Sequence, residues 1–402
     1  MNSVVRQMWE QNTDVVMVDT GNSYEGLCEY VGGKYISYTD EHPITMNPFA
    51  IKREELNIEK IGFLKNLIML IWKGTQGEVT KTEDRLIEQV ITEYFDEYFA
   101  KKQIENLSFN TFYEYSTVRI PLIIKENNLA GIDLAAYNYL LKDFYKGGSH
   151  ELTLNENLDT KLFDETFIIF EIDSIKDDPL LFPLVTLIIM DVFIQKMRIK
   201  KNRKVLVIEE AWKAIASPMM AEYIKYLYKT ARKFWASVGV VTQEIQDIVG
   251  SPIVKEAIIN NSDVVMLLDQ SKFRERFDEI KAILGLTDVD CKKIFTINRL
   301  ENKEGRSFFR EVFIRRGSVG GVFGVEEPHE CYMTYTTERA EKEALKLYKK
   351  ELQCDHQHAI EAYCRDWELS GITKSLPFAQ KVNQAGHVLR LKPKQEKGLN
   401  RL

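Results

Sequence analysis

Cysteine is scarce in this 402-residue chain, and long uninterrupted apolar runs are absent. None of the five cysteines forms a C-x-x-C pair, which argues against a disulfide framework and favours a reducing compartment. The first residues lack the apolar region of a secretory signal peptide. The longest apolar stretch, near residues 180–194, is interrupted by Pro183 and Asp191 and is too short to span a bilayer. We therefore expect a soluble cytoplasmic chain without a transmembrane segment, able to dock on a membrane complex.

Excess positive charge is also missing from the chain as a whole. Lys and Arg number 54 against 60 Asp and Glu, a net charge of −6, which argues against a protein coated in nucleic acid. Residues 371–402 are the exception, because they carry seven basic side chains and a single acid, Glu396. This basic tail can contact an anionic partner. A solvated mobile tail is the alternative that we favour.

The order of apolar segments predicts an α/β fold. Short apolar runs at residues 14–19, 166–172, 204–208, 236–241 and 263–268 read as strands. Helix-length segments separate most of them, which favours βαβ units and a mostly parallel sheet. Residues 308–314 and 320–325 predict a terminal hairpin around a Gly-containing turn.

Residues 53–155 show only helical periodicity, so we expect an all-helical insertion within the α/β domain. The predicted organisation has five parts. They are the start of the α/β domain (1–52), the helical insertion (53–160), the rest of the α/β domain (161–335), a C-terminal helix (336–370) and the basic tail (371–402).

The strongest chemical signal is the run from Val205 to Ile208 followed by Glu209 and Glu210. Apolar residues that end in acids have the form of a Walker B strand, whose carboxylates lie at the sheet edge where nucleotides bind. Glu209 can hold Mg²⁺ directly or through water, and Glu210 can polarise an attacking water. The alternative is a solvated helix start, where acids are also favoured.

Four further residues are candidates for the same nucleotide site. Thr242 and Gln243 follow the next strand, where such a pair can sense a phosphate, although an ordinary strand exit fits as well. Arg232 can supply positive charge to a nucleotide in its own or a neighbouring subunit, or it is simply an exposed cation at a helix end. Asp19 ends the first strand, and its alternative role is to form a turn.

A phosphate-binding loop is the feature that the sequence lacks most conspicuously. No G-x-x-x-x-G-K-[ST] occurs, although its backbone N–H groups and lysine normally cradle the phosphates. The chain nevertheless opens with a helix and a buried strand, the pair that follows such a loop. We therefore expect the sequence to start just after the loop, and translation of the DNA ahead of Met1 would test this.

The combined motifs resemble the conjugation ATPases of type IV secretion systems, specifically the TraG-type protein of conjugative transposons. The resemblance covers Met1 to about Tyr348, with two departures. Glu209 stands where the family usually has Asp, and the phosphate-binding loop is absent together with the family's long N-terminal domain. The motifs that carry it are Asp19 with residues 20–24, residues 47–49, a helical insertion, residues 207–212, residues 231–233 and residues 241–243.

This resemblance implies a RecA-like motor domain with an all-helical insertion. Such a motor uses ATP and Mg²⁺ at the cytoplasmic side of the inner membrane to energise transfer, together with other secretion proteins and often as a hexamer. The implied site has Glu210, Gln243 and Arg232 as catalytic residues, Asp19 and Thr242 at the nucleotide, and Glu209 at the metal. Without the phosphate loop, we expect this chain to be inactive alone. The alternatives are a non-catalytic scaffold of the conjugation machinery and a DNA-pumping motor of the coupling-protein type.

Overall fold

The structure is a computed structural model that describes residues 1–157, 160–210, 218–242, 258–298 and 309–390. It divides into two compact units. The parallel-sheet unit comprises Gln11–Gly21 and Ile36–Asn261, and the hairpin unit comprises Met1–Glu10, Asn22–Tyr35 and Ser262–Leu402. The domain boundaries taken from the sequence stay predictions.

Fifteen α-helices occur in the described residues, numbered along the chain. They are α1 (Asn2–Glu10), α2 (Glu25–Tyr30), α3 (Ile58–Lys73), α4 (Lys81–Ala100), α5 (Phe109–Glu126), α6 (Leu134–Leu141), α7 (Glu151–Asn155), α8 (Leu181–Ile199), α9 (Pro218–Ala231), α10 (Phe277–Leu284), α11 (Asp288–Ile294), α12 (His329–Tyr335), α13 (Arg339–Leu352), α14 (His356–Ser370) and α15 (Ser375–Ala385). Among these described helices, none has both the length and the apolar character required to cross a bilayer.

A sheet with parallel strands organises the parallel-sheet unit, as the sequence predicts, and it contains five strands. Its strands are β1 (Thr13–Asp19), β2 (Lys34–Ser37), β3 (Phe167–Glu171), β4 (Arg203–Ile208) and β5 (Ala236–Val240), in the spatial order β2-β3-β1-β4-β5. The pairs β1–β3, β1–β4 and β4–β5 are all parallel. Every residue of β1 is buried, as expected for a central strand covered on both faces.

The described residues between 53 and 157 form helices and 3₁₀ turns and no strand. Helix α4 begins with a capping box, in which the Thr80 and Glu83 side chains each bond the other's backbone N–H. Aromatic side chains fill the core of this helical part. Phe49, for example, stacks on Phe112 with ring centroids 4.8 Å apart and meets Tyr94 edge-on at 6.0 Å.

A second sheet lies in the hairpin unit. Strands β7 (Phe309–Arg316) and β8 (Val319–Glu326) form the predicted hairpin, and β6 (Val264–Leu267) pairs antiparallel with β7. The prediction that the strand at 263–268 continues a parallel βαβ series is therefore wrong. Residues of β6 alternate between exposed and half-buried, whereas a strand inside a parallel sheet is buried on both faces.

Helices α12 to α15 build a separate core in the hairpin unit around Tyr348, Tyr363, Trp367 and Phe378. Helix α15 lies inside the stretch that the sequence analysis assigns to a basic tail, and its Phe378 and Val382 are fully buried. The described part of this stretch therefore packs as a helix instead of extending into solvent. Residues 391–402, which hold most of the tail's basic side chains, lie outside the described residues.

Candidate nucleotide site

Four neighbouring strands of the parallel sheet end at one edge of the parallel-sheet unit. Backbone pairing continues just past the strand ends, because the Glu209 N–H donates to the Val18 carbonyl and the Val241 N–H donates to the Ile208 carbonyl, both at 3.0 Å. Since neighbouring strands lie about 4.8 Å apart, the ends of β1, β4 and β5 lie side by side. The carboxyl edge of a parallel sheet is where nucleotides bind in open α/β folds.

The carboxylates at this edge follow from the strand register. Asp19 pairs with Glu171 at the ends of β1 and β3. Val18 pairs with Ile208 one position earlier, so Asp19 and Glu209 occupy neighbouring places on adjacent strands. The structure therefore brings Asp19, Glu209 and Glu210 to one edge, with Thr242 two residues beyond β5 at the same edge. Asp19 is only 1% exposed, while Glu209, Glu210 and Thr242 are half-buried.

Glu210 has an unusual backbone conformation. Its φ is +50°, in the left-handed region that an L-residue other than Gly rarely adopts. Holding a non-glycine residue there costs on the order of 1–2 kcal/mol. Such strain clusters at functional positions, and here it lies at the residue that is predicted to supply a catalytic carboxylate.

Glu171 is a residue of this edge that the sequence analysis missed. It is 2% exposed, and its carboxylate accepts a hydrogen bond from the Asp173 N–H at 2.8 Å and lies 3.5 Å from the Gly21 nitrogen. Glu171 thereby links the turns that follow β1 and β3. An acid directly after an apolar run was the available signal, because residues 167–170 precede Glu171 just as residues 205–208 precede Glu209.

Arg232 does not join these residues within one subunit. It is exposed and lies in a 3₁₀ turn just before β5, where the Lys204 N–H donates to the Trp235 carbonyl at 3.1 Å. This is the amino edge of the sheet. Five residues of strand span about 16 Å, so the guanidinium is far from the carboxyl edge of its own subunit. The neighbouring-subunit role of Arg232 stays a prediction, as does its alternative role as an exposed cation at a helix end.

The remaining predicted residue, Gln243, lies outside the described residues, as do residues 211–217 that follow Glu210. Within the described parts of the chain, no group of three or more His, Cys, Asp or Glu side chains is arranged to hold a metal. A nucleotide-bound Mg²⁺ takes one or two carboxylates and completes its shell with phosphates and water. The half-buried Glu209 suits such a contact.

The parallel sheet and its helices define the class by its fold, which is an α/β fold of the P-loop type. The family model of the TraG P-loop domain matches residues 1–367. The chain therefore belongs to the TraG P-loop family, whose relatives are TraC- and VirB4-like ATPases of type IV secretion systems. The resemblance drawn from the sequence motifs is confirmed.

Relatives and solved structures agree on the fold. The chain is 22% identical to Protein TraC of Escherichia coli (strain K12) over 298 residues, which is 69% of this chain and 31% of TraC. It thus spans about a third of that relative's length. The structure of VirB4 of Thermoanaerobacter pseudethanolicus matches with a TM-score of 0.58 and 18% identity, covering 81% of this chain and 85% of VirB4. The plasmid coupling protein TrwB in complex with ADP and Mg²⁺ matches with a TM-score of 0.50 and 12% identity, covering 81% and 80%.

Proposed function

We propose that this chain is the catalytic portion of a motor ATPase that energises a conjugative type IV secretion apparatus. The observation that carries the proposal is the common edge at which Asp19, Glu209 and Glu210 meet. This function also agrees with the family and with the ADP and Mg²⁺ in the TrwB complex. The motor would act at the cytoplasmic side of the inner membrane with other secretion proteins, as a homo-hexamer.

The mechanism assigns one task to each residue. Glu209 would hold Mg²⁺, directly or through water, and Asp19 and Thr242 would line the nucleotide. Glu210 orients the water that attacks the γ-phosphate, and its half-buried position strengthens its hydrogen bond to that water. Gln243 senses the γ-phosphate. Arg232 of a neighbouring subunit contributes positive charge as phosphate leaves.

The site as described has no phosphate-cradling loop, since the sequence contains no such motif. These 402 residues therefore offer Mg·ATP the carboxylates of a nucleotide site but no phosphate-binding loop. We accordingly expect weak nucleotide binding and negligible turnover from this chain alone. The test uses the whole protein that the native gene encodes.

The test is steady-state release of phosphate from ATP with Mg²⁺ by the native gene product, comparing wild type with Glu210→Gln. The amide keeps the size of the side chain but cannot polarise water, so turnover should fall by about 10²-fold or more. Binding of a fluorescent ATP analogue should change less than threefold. Glu54→Gln is the matched control, because Glu54 is an exposed acid in a 3₁₀ turn at residues 53–55.

Unchanged turnover in Glu210→Gln would refute the role assigned to Glu210. A wild-type protein that neither binds nor hydrolyses ATP would instead support the scaffold function, in which the same fold serves only for docking. Turnover that depends strictly on added double-stranded DNA would favour the DNA-pumping alternative.

A further inference from the structure

The three-stranded sheet of the hairpin unit has one covered face. Phe313 and Glu311 of β7 point to that face and are 0% and 5% exposed. Helix α11 and its neighbouring turns lie over it, because the Lys293 Nζ donates to the Gly320 carbonyl at 2.7 Å and the Asn298 N–H donates to the Glu311 carboxylate at 2.6 Å. This face therefore has its packing partner within the chain.

The opposite face is open and apolar, and we call it the open face. Directly opposed residues of antiparallel strands share a face. Val264 and Val319 oppose Arg316 from either side, and Phe323 opposes Val312, so all of them lie on the open face. Val264, Val319 and Phe323 are 43%, 76% and 53% exposed. Met266 of β6 and Val325 of β8 join them on the same face, and both are also exposed.

Exposed side chains on this sheet form a contiguous patch and are not scattered. Val312 and Ile314 of the central strand connect the outer strands across the patch and are themselves only half-buried. At Gly321, an added Cβ would lie 3.3 Å from the Phe323 ring, so the glycine leaves room for that ring to lie along the sheet. Contiguous exposed apolar surface of this kind usually marks an interaction site.

The charges on the open face have one sign. Arg310 and Arg316 are exposed on its central strand, at the two ends of the apolar strip. The described strand residues that share this face include no acidic side chain. A partner that covers the strip therefore gains most by offering carboxylates near both of its ends.

The dimensions of the strip match one helix. Arg316 lies six positions after Arg310 along the strand, so the two residues are about 20 Å apart. A helix rises about 1.5 Å per residue, so about 13 residues cover that distance. The two outer strands of this three-stranded sheet lie about 10 Å apart. This width is close to the diameter of a helix with its side chains, about 10–12 Å.

Two other occupants fit the open face less well. A second copy of the chain, packed face to face, would bring Arg310 and Arg316 against the same arginines of its mate, which is repulsive. A lipid surface is normally entered by protruding aromatic side chains or an amphipathic helix. The open face is a sheet surface, and Phe323 is the single aromatic side chain among its described strand residues.

We propose that the open face is a docking surface for an amphipathic helix of a protein partner. This helix has an apolar stripe along about four turns and carries Asp or Glu near each end. The apolar stripe packs on Met266, Val312 and Phe323, and the terminal carboxylates pair with Arg310 and Arg316. This surface is independent of the nucleotide site and of the function proposed for it.

The experiment measures binding of a fluorescein-labelled, stapled amphipathic peptide of about 18 residues. The peptide has Leu along one stripe and two glutamates at each end, and a second peptide has lysines at those ends. We expect the glutamate peptide to bind at least about tenfold more tightly than the lysine peptide. Arg310→Glu and Arg316→Glu should each weaken its binding about tenfold, and Phe323→Asp should abolish detectable binding.

Arg85→Glu is the matched control, because Arg85 is an exposed arginine on α4. It should leave the affinity unchanged. Far-ultraviolet circular dichroism checks that each variant remains folded. If Phe323→Asp does not fold, the two arginine variants still test the proposal.

Three results would overturn the proposal. The first is equal affinity for the two peptides, or no binding of either. The second is a protein that sediments with phosphatidylglycerol vesicles but does not bind the glutamate peptide. If Phe323→Asp abolishes this sedimentation, the open face binds a membrane. The third is a concentration-dependent dimer in light scattering that Phe323→Asp abolishes, which would assign it to a second copy.

Discussion

At the scale of single residues, Glu83 shows how one side chain anchors the helical part of the chain. Its carboxylate is buried and bonds both the N–H and the hydroxyl of Thr80 at 2.9 Å, and it pairs with the Lys73 ammonium. Burial on its own would raise the pKa of Glu83. The Lys73 and Thr80 bonds outweigh it and hold the pKa below the ordinary value for glutamate.

This lowered pKa predicts an acid-sensitive helix start. A group whose pKa is depressed by folding stabilises the fold fully above its unfolded pKa, about 4.3, and loses that contribution as pH falls through the folded value. Urea unfolding should therefore show wild type losing more stability between pH 5 and pH 3 than Glu83→Gln. Glu54→Gln should follow the wild-type curve, whereas parallel curves for wild type and Glu83→Gln would contradict this prediction.

At the scale of elements, a buried ion pair joins the helical part to a helix that packs on the sheet. Lys60 of α3 donates to Asp191 of α8 at 2.8 Å, and the side chains are only 8% and 5% exposed. The Gln195 amide also donates to Asp191, at 2.7 Å. The apolar helix α8 thus carries one acid whose burial depends on α3.

Lys60→Met should destabilise the parallel-sheet unit by about 3–5 kcal/mol, because it leaves Asp191 buried without a counter-charge. The double variant Lys60→Met with Asp191→Leu should recover most of that loss, since no uncompensated charge remains. Urea midpoints of the single and double variants form the double-mutant cycle. Arg85→Met, which breaks an exposed pair with Glu88, should cost less than about 0.5 kcal/mol. A double variant as unstable as the single one would refute the argument.

At the scale of the whole molecule, the two compact units have separate hydrophobic cores with no residue in common. Local unfolding usually follows such cooperative units. In hydrogen-exchange mass spectrometry, Lys60→Met should accelerate exchange in peptides from α3, α4 and α8. Peptides from α13 to α15 should keep the wild-type rate. Equal acceleration in both sets would show that the units unfold as one.

Much of the parallel-sheet unit and of its site was predictable from sequence, because the determining signals are local. The apolar runs predict β1, β3, β4 and β5, and the acids at the ends of β1 and β4 predict the carboxyl edge where the structure places Asp19 and Glu209. The same rule applied to residues 167–171 would have found Glu171. The position of Arg232 just before β5 is likewise a local signal, and it places this residue at the amino edge of the sheet.

The sequence by itself determined which segments become strands and helices and which acids end the parallel strands, because apolar periodicity and strand direction act over a few residues. The tertiary structure decided which strands pair and which faces are covered, since those choices depend on groups distant in sequence. It paired β6 with the hairpin, packed α15 into a core, and left Phe323 exposed between two arginines. No local pattern contains that information, because burial of a side chain is a property of its neighbours in space.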